Sequence, residues 1–233
     1  MNYFLVTSGI HGPYGVFKPL ERIQQTLETA HSIRKHCQDA VIILAEGGNR
    51  ALSDQELQQF NTVFDKTLDC TDDNIIQFAH RTHHSEVISL KGPCEARLLT
   101  LACDQIKPQS TDRVFKLSGR YCLSENFSTE NHVQQVGKWC FLPKKPGAKY
   151  GRPYASTPWQ YKTRLYSWCG SLHTTASQVF QQAFSHIVAS YTQGTFIDIE
   201  HTMWRMVNPI LVAELTPIGV QGLAAEDGVE ISE

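Results

Sequence analysis

The chain has 233 residues, with 21 Lys and Arg against 23 Asp and Glu, so its formal charge of −2 offers no global basic field to recruit nucleic acid. Hydrophobic residues make up 41% and charged residues 19%, which supplies a buried core and excludes a disordered chain. No stretch approaches the roughly 18 consecutive apolar residues of a membrane span, no leader pattern precedes Tyr3, and the seven cysteines are scattered without a Cys-x-x-Cys pair, so a soluble cytoplasmic protein with reduced thiols is expected.

Tyr3-Phe4-Leu5-Val6 and Ala40-Val41-Ile42-Ile43-Leu44 are short apolar runs of the kind made by parallel strands covered on both faces. Between them Leu20, Ile23, Leu27, Ala30 and Ile33 fall on one helical stripe, which predicts a strand–helix–strand unit with its ligand beyond the carboxyl ends of the strands, near Thr7, Ser8 and Glu46. Ser53 and Glu56 have capping-box spacing and start a second helix. Residues 67–70 suggest a short strand, and residues 72–89 are polar and His-rich with no clear period. Ala96, Leu99, Cys103 and Ile106 mark the next helix, and Arg113-Val114-Phe115-Lys116-Leu117 the next strand.

The second half changes character. Pro143, Pro146, Pro153 and Pro158 predict loops around one strand within residues 136–141, with another strand at 161–168. A long helix follows over residues 176–191 and ends before Gly194, and a short one covers 199–207 and stops ahead of Pro209. Residues 226–233 form an acidic end, either a loose tail or a closing flap. The expected architecture is one α/β domain over residues 1–233, mainly parallel, with an elaborated carboxyl-terminal half from residue 128.

Several constellations could carry chemistry. Gly9, Gly12 and Gly15 have the spacing of a phosphate-cradling turn, but the helical pattern does not begin until after Pro19. Tyr14 and Lys18 share that loop and are discounted as a dehydrogenase pair. His80, His83 and His84 lack the carboxylate or thiol that would complete a metal site, and Cys169 has no local His to activate it. The informative region runs from Gly92 and Arg97 at a helix start to Lys116 and Arg120 at a strand's carboxyl end, where cations would suit a diphosphate. Asp198, Glu200 and His201 gather where the last helix begins; Asp198 could cap it, and either carboxylate could act as a general base.

In this order the pieces resemble glycosyltransferases of the GT-A fold, a Rossmann-type sheet flanked by helices. The large inverting family of that fold has a strand–helix–strand start, an Asn-x-Gly…Ala-Arg-Asn helix, a strand ending in Asp-x-Asp, and a late Glu-Asp-x-x-(apolar)-x-x-Arg motif. Here Gly92 and Ala96-Arg97 stand in the first motif, Ser118-Gly119-Arg120 at the Asp-x-Asp position, and Glu200-His201 with Arg205 near the last. No motif is intact, and the order covers residues 1 to about 208.

The resemblance implies a nucleotide-sugar-binding half, residues 1–127, and an acceptor and catalytic half, residues 128–233. It implies a nucleotide-sugar donor and a glycan or lipid-linked acceptor, as in polysaccharide biosynthesis. Thr7, Ser8 and Glu46 would then meet the nucleotide, Gly92, Arg97, Lys116 and Arg120 the diphosphate, and Glu200, with Asp198 as the alternate, would activate the acceptor hydroxyl for inverting displacement. Trp159, Tyr161 and Trp168 would offer faces to the acceptor. The Asp-x-Asp carboxylates ordinarily hold Mn or Mg against the diphosphate, which Ser118-Gly119-Arg120 cannot do, so metal-independent transfer is expected, with His201 as the one candidate metal ligand. Two other readings compete: an NAD(P)-dependent oxidoreductase using the glycine loop and Glu46, and a non-catalytic nucleotide-sugar or carbohydrate-binding module.

Overall fold

Along the first strand, β1 (Asn2–Ser8), side chains alternate between two buried clusters: Phe4 and Val6 join one and Leu5 the other. The same alternation in β2 (Val41–Glu46), with Ile42 and Leu44 against Ile43 and Ala45, puts both strands inside a three-layer arrangement. A computed structural model describes residues 1–13, 15–81, 91–147, 155, 157–224 and 227–233. The expected Tyr14, His83, His84, Pro153 and Glu226 features lie outside the described residues.

Helix α1 (Pro19–His36) connects β1 to β2, and α2 (Asp54–Phe60) follows with the expected capping box, Ser53 N–H donating to Glu56 Oε2 at 2.7 Å. Then come β3 (Lys66–Asp69), α3 (Asn74–Arg81), α4 (Lys91–Cys103), β4 (Arg113–Ser118), β5 (Tyr121–Leu123), α5 (Thr129–Val133), β6 (Trp139–Phe141), β7 (Lys145–Pro146), β8 (Trp159–Gln160) and β9 (Leu165–Cys169). The chain finishes with α6 (His173–Thr192), α7 (Ile199–Met206), β10 (Val212–Glu214), β11 (Val220–Leu223) and β12 (Glu230–Ser232). Gly194 stands just past α6 at φ 68°, a left-handed conformation that glycine adopts without strain.

Seven strands make the central sheet in the order β10-β6-β9-β4-β1-β2-β3. The β3, β2, β1 and β4 set is parallel, β9 runs antiparallel between β4 and β6, and the sheet continues unbroken past residue 127. Helices α4, α6 and α7 cover one face, with Ala96, Leu99, Phe180, Ala183 and Met203 against Trp139, Tyr166 and Trp168. The other face packs on α1 and on a small sheet, β12-β11-β5, whose Tyr121, Leu123 and Val220 meet Phe115 and Leu117.

Two expectations need revision. The predicted strand at 161–168 begins only at Leu165: residues 161–164 are irregular, the Tyr161 N–H donating to Glu200 O at 3.3 Å and the Thr163 carbonyl accepting from the Lys116 ammonium. The acidic end is no loose tail: β12 pairs with β11, and the Glu233 carboxylate accepts two bonds from Arg164 Nη1, each 2.9 Å, and one from Lys145 at 3.0 Å. No helix among the described residues is long and apolar enough to cross a membrane.

Candidate active site

The register of the parallel strands sets Ser8 beside Glu46 and Thr7 beside Ser118, so the carboxyl ends of β1, β2 and β4 finish level with one another. A cleft of about 160 Å³ opens there, its walls including Thr7, Ser8, Arg22, Glu95, Gly119 and Arg120. Gly119 makes this edge close-fitting. Its N–H donates to Thr7 O at 2.8 Å, and a Cβ at that position would lie 3.1 Å from Thr26 Oγ1 and 3.2 Å from Ser8 Cβ. A larger residue would push the β4 end, and Arg120 with it, away from the β1 end.

Glu46 does not face the cleft. Its side chain is fully buried, taking a hydrogen bond from Ser8 Oγ on one oxygen and bonds from Ile10 N–H and Gly48 N–H, both 2.8 Å, on the other. Burial raises its pKa from 4.5 to about 7, against those three donors, which lower it. The expected contact with the nucleotide is thus corrected: Glu46 braces the loop after β1. That loop in turn holds Arg22, whose guanidinium donates to Gly9 O at 2.6 Å, Gly12 O at 3.0 Å and Phe17 O at 3.0 Å. Since ten residues separate β1 from α1, the glycines open into no helix, and the geometry of a dinucleotide turn is missing.

The four residues expected at the diphosphate separate. Arg120 lines the cleft, its side chain makes no hydrogen bond or ion pair among the described residues, and its buried Nε has no partner, the guanidinium lying 5.1 Å from the Tyr121 ring centroid. Lys116 is fully buried, paired with Glu95 at 2.5 Å and donating to Ser118 Oγ at 2.7 Å, so it supports the wall without reaching a ligand. Desolvation lowers its pKa and Glu95 opposes that shift. Arg97 is bound to Asp73, at 2.7 and 3.0 Å, and is not part of the cleft wall. Gly92 packs between helices, a Cβ there lying 3.4 Å from Ile187 Cδ1 of α6 and Ile199 N of α7, so it faces α6 and α7 and not the cleft.

Asp198 caps α7 by accepting from His201 N–H at 2.8 Å, and its same oxygen meets His201 Nδ1 at 2.7 Å. His201 is fully buried and outside the cleft wall, which removes it as a metal ligand there. Glu200 is about one-fifth exposed and pairs with Lys162 at 2.6 Å. Desolvation raises its pKa, with Lys162 pulling the other way and Asp198 reinforcing the rise. Of the three aromatic residues, Trp159 is 39% exposed beneath Lys144, whereas Trp168 is sealed between Trp139 and Phe180 and Tyr161 is stacked on Phe141 at 4.4 Å. Tyr161 and Trp168 are therefore core residues, with no ring face left for a sugar.

No family model matches this sequence, and no curated protein matches it. Solved structures do. An active-site mutant of LgtC superposes with a TM-score of 0.55 at 9% identity, covering 92% of this chain and 72% of that one. The galactosyltransferase LgtC in complex with donor and acceptor sugar analogs gives 0.51 at 8% identity over 92% and 73%. Mouse xyloside xylosyltransferase 1 gives 0.49 at 9% identity over 92% and 85%. The chain has a GT-A fold.

Within the GT-A fold the described residues depart from the resemblance where a metal would be held. The β4 end carries Ser118, Gly119 and Arg120, and among the described residues no group of three His, Cys, Asp or Glu side chains could hold a metal ion. Hard divalent cations need several oxygen ligands, and the one carboxylate among the described residues of the cleft wall, Glu95, is already paired with Lys116. Sequence reasoning missed Arg22, Glu95 and Lys162. Arg22 lies on a helix that reads as an ordinary amphipathic stripe, and nothing in its spacing announces that the preceding loop folds back onto it. Glu95 was legible only as a neighbour of Arg97, yet its partner is 21 residues on.

Proposed function

We propose that this GT-A protein moves a sugar from a nucleotide-sugar donor to a hydroxyl of a glycan or lipid-linked acceptor, with inversion at the anomeric carbon. The observation that carries this reading is the cleft at the carboxyl ends of β1, β2 and β4, with Arg120, unpartnered among the described residues, in its wall. Ligands of open α/β sheets seat at that edge. Thr7 and Ser8, which line the cleft at the end of β1, are taken as the contacts to the nucleoside in this reading.

Glu200 serves as the general base. A carboxylate made more basic by desolvation is better matched to a hydroxyl proton than a solvated one. As the acceptor oxygen bonds to the anomeric carbon, its proton passes to a Glu200 oxygen. The bond from that carbon to the diphosphate oxygen breaks on the opposite face, and its electron pair leaves with the nucleoside diphosphate. Asp198 is committed to the α7 cap and His201, which leaves Glu200, itself outside the described cleft wall and paired with Lys162, as the candidate base. Trp159, alone of the three aromatics in keeping an open face, stacks on the acceptor.

The Glu200–Lys162 pair also suits a binding module that performs no transfer, since it neutralises the candidate base. A transfer assay across UDP-, GDP- and CMP-sugars separates the two readings. Glu200→Gln should lower turnover at least about a hundredfold while leaving the Kd for the nucleotide within about twofold. Wild-type turnover in that variant would remove Glu200 from the mechanism, and binding without transfer in the wild type would leave the module.

A further inference from the structure

The described wall of the cleft carries three cationic side chains, Arg22, Lys91 and Arg120, against the single carboxylate of Glu95, which Lys116 neutralises at 2.5 Å. Two of these cations are built in. Arg22 is fixed by three loop carbonyls, and Arg120 is placed by the close contact of Gly119 with the β1 end and by its stacking on Tyr121. They are near enough that the charge of Arg120 depresses the pKa of Arg22, second only to desolvation.

Bringing like charges together in a partly dry cleft costs free energy in the empty protein, and an anion seated between them recovers it. The Arg120 guanidinium lines the cleft and takes no hydrogen-bond or ion-pair partner among the described residues, so it is open to an anion seated there. A guanidinium presents a planar fork of N–H donors that matches phosphoryl oxygens.

Resting on the transfer reading above, we propose that the donor's diphosphate is held and neutralised by the Arg22 and Arg120 guanidinium groups, without a bridging divalent cation. This reassigns the diphosphate clamp from Arg97 and Lys116, which are consumed by Asp73 and Glu95, to a residue of α1 and one just past β4. It also gives the electron pair arriving on the leaving oxygen two fixed positive charges to meet.

Isothermal titration of the whole chain with inorganic pyrophosphate, in EDTA and again with excess Mn, tests the inference. Binding in EDTA is expected, with Mn changing the Kd by less than about twofold, and Arg120→Ala weakening it by about tenfold or more. Arg120→Lys, which keeps the charge and loses the fork, should fall between. Because the Arg120 side chain takes no hydrogen-bond or ion-pair partner among the described residues, the thermal unfolding midpoint of Arg120→Ala should match the wild type, so lost binding reports the site itself. Tightening by Mn of tenfold or more, no binding in EDTA, or unchanged binding in Arg120→Ala each overturns the proposal. Arginine-dependent pyrophosphate binding in a protein that transfers no sugar would instead remove the transfer reading and leave the cation pair standing.

Discussion

Two stretches of one segment treat positive charge in opposite ways. At the start of β4, Arg113 is 2% exposed, and its guanidinium donates to Ser167 Oγ at 2.9 Å, Gln135 O at 3.0 Å and Cys140 Sγ at 2.6 Å. At the far end, Arg120 lines the cleft and its side chain has no hydrogen-bond or ion-pair partner among the described residues. Lys116 stands between them in position and in character, buried like Arg113 but paired with a carboxylate that borders the cleft. A cation buried away from the cleft and held by the protein is part of the architecture, whereas one that lines the cleft at a strand's carboxyl end is available to a ligand.

The largest expected effect lies at the satisfied end. Arg113→Ala strips partners from Ser167, Gln135 and Cys140 and leaves a cavity, so it should lower stability by about 4 kcal/mol in urea unfolding. A loss below about 1 kcal/mol would erase the distinction from Arg120. Lys116→Met should cost about 2–3 kcal/mol, because Glu95 is left partly buried and unpaired. Adding Glu95→Gln should restore most of it, and a double-mutant cycle with no coupling would show that the pair is incidental.

Glu46 sharpens the comparison from the anionic side, since its hydrogen bonds among the described residues come from neutral donors, as those of Arg113 go to neutral acceptors. Its folded pKa of about 7 lies above the ordinary 4.5, so the folded state keeps this proton longer than the unfolded chain does. Its contribution to stability is full below pH 4.5 and is lost as the pH rises through 7, by up to about 3 kcal/mol. Glu46→Gln keeps an oxygen for Ile10 and Gly48 and carries no charge, so it should flatten this fall and be the more stable protein at pH 8 by about 2 kcal/mol. Equal pH slopes in the two proteins would mean that Glu46 is ionised throughout.

Much of the frame can be read from local pattern. The apolar runs of β1 and β2, the Ser53–Glu56 capping box and the stripe through Ala176, Phe180, Ala183 and Ile187 in α6 each depend on contacts within a few residues or on which face is apolar. The strands β5, β10, β11 and β12 could not be read this way, being three or four residues each and defined by distant partners such as Gly222 opposite Tyr121. The acidic end, β12 among them, looks like solvent-exposed chain until its Glu233 meets Arg164, 69 residues away.

Composition and periodicity by themselves determined that this is an α/β chain whose parallel strands end near Thr7, Glu46 and Ser118. Those signals arise from backbone geometry and solvent exclusion, which act over a turn or a strand. Only the tertiary structure decided that Lys116, Arg97 and Glu46 turn to protein partners, that Trp168 closes into the core, and that Arg22 joins Arg120 at the cleft. The reason is that a charged side chain takes its role from whichever group it meets in space, and sequence spacing carries almost none of that information.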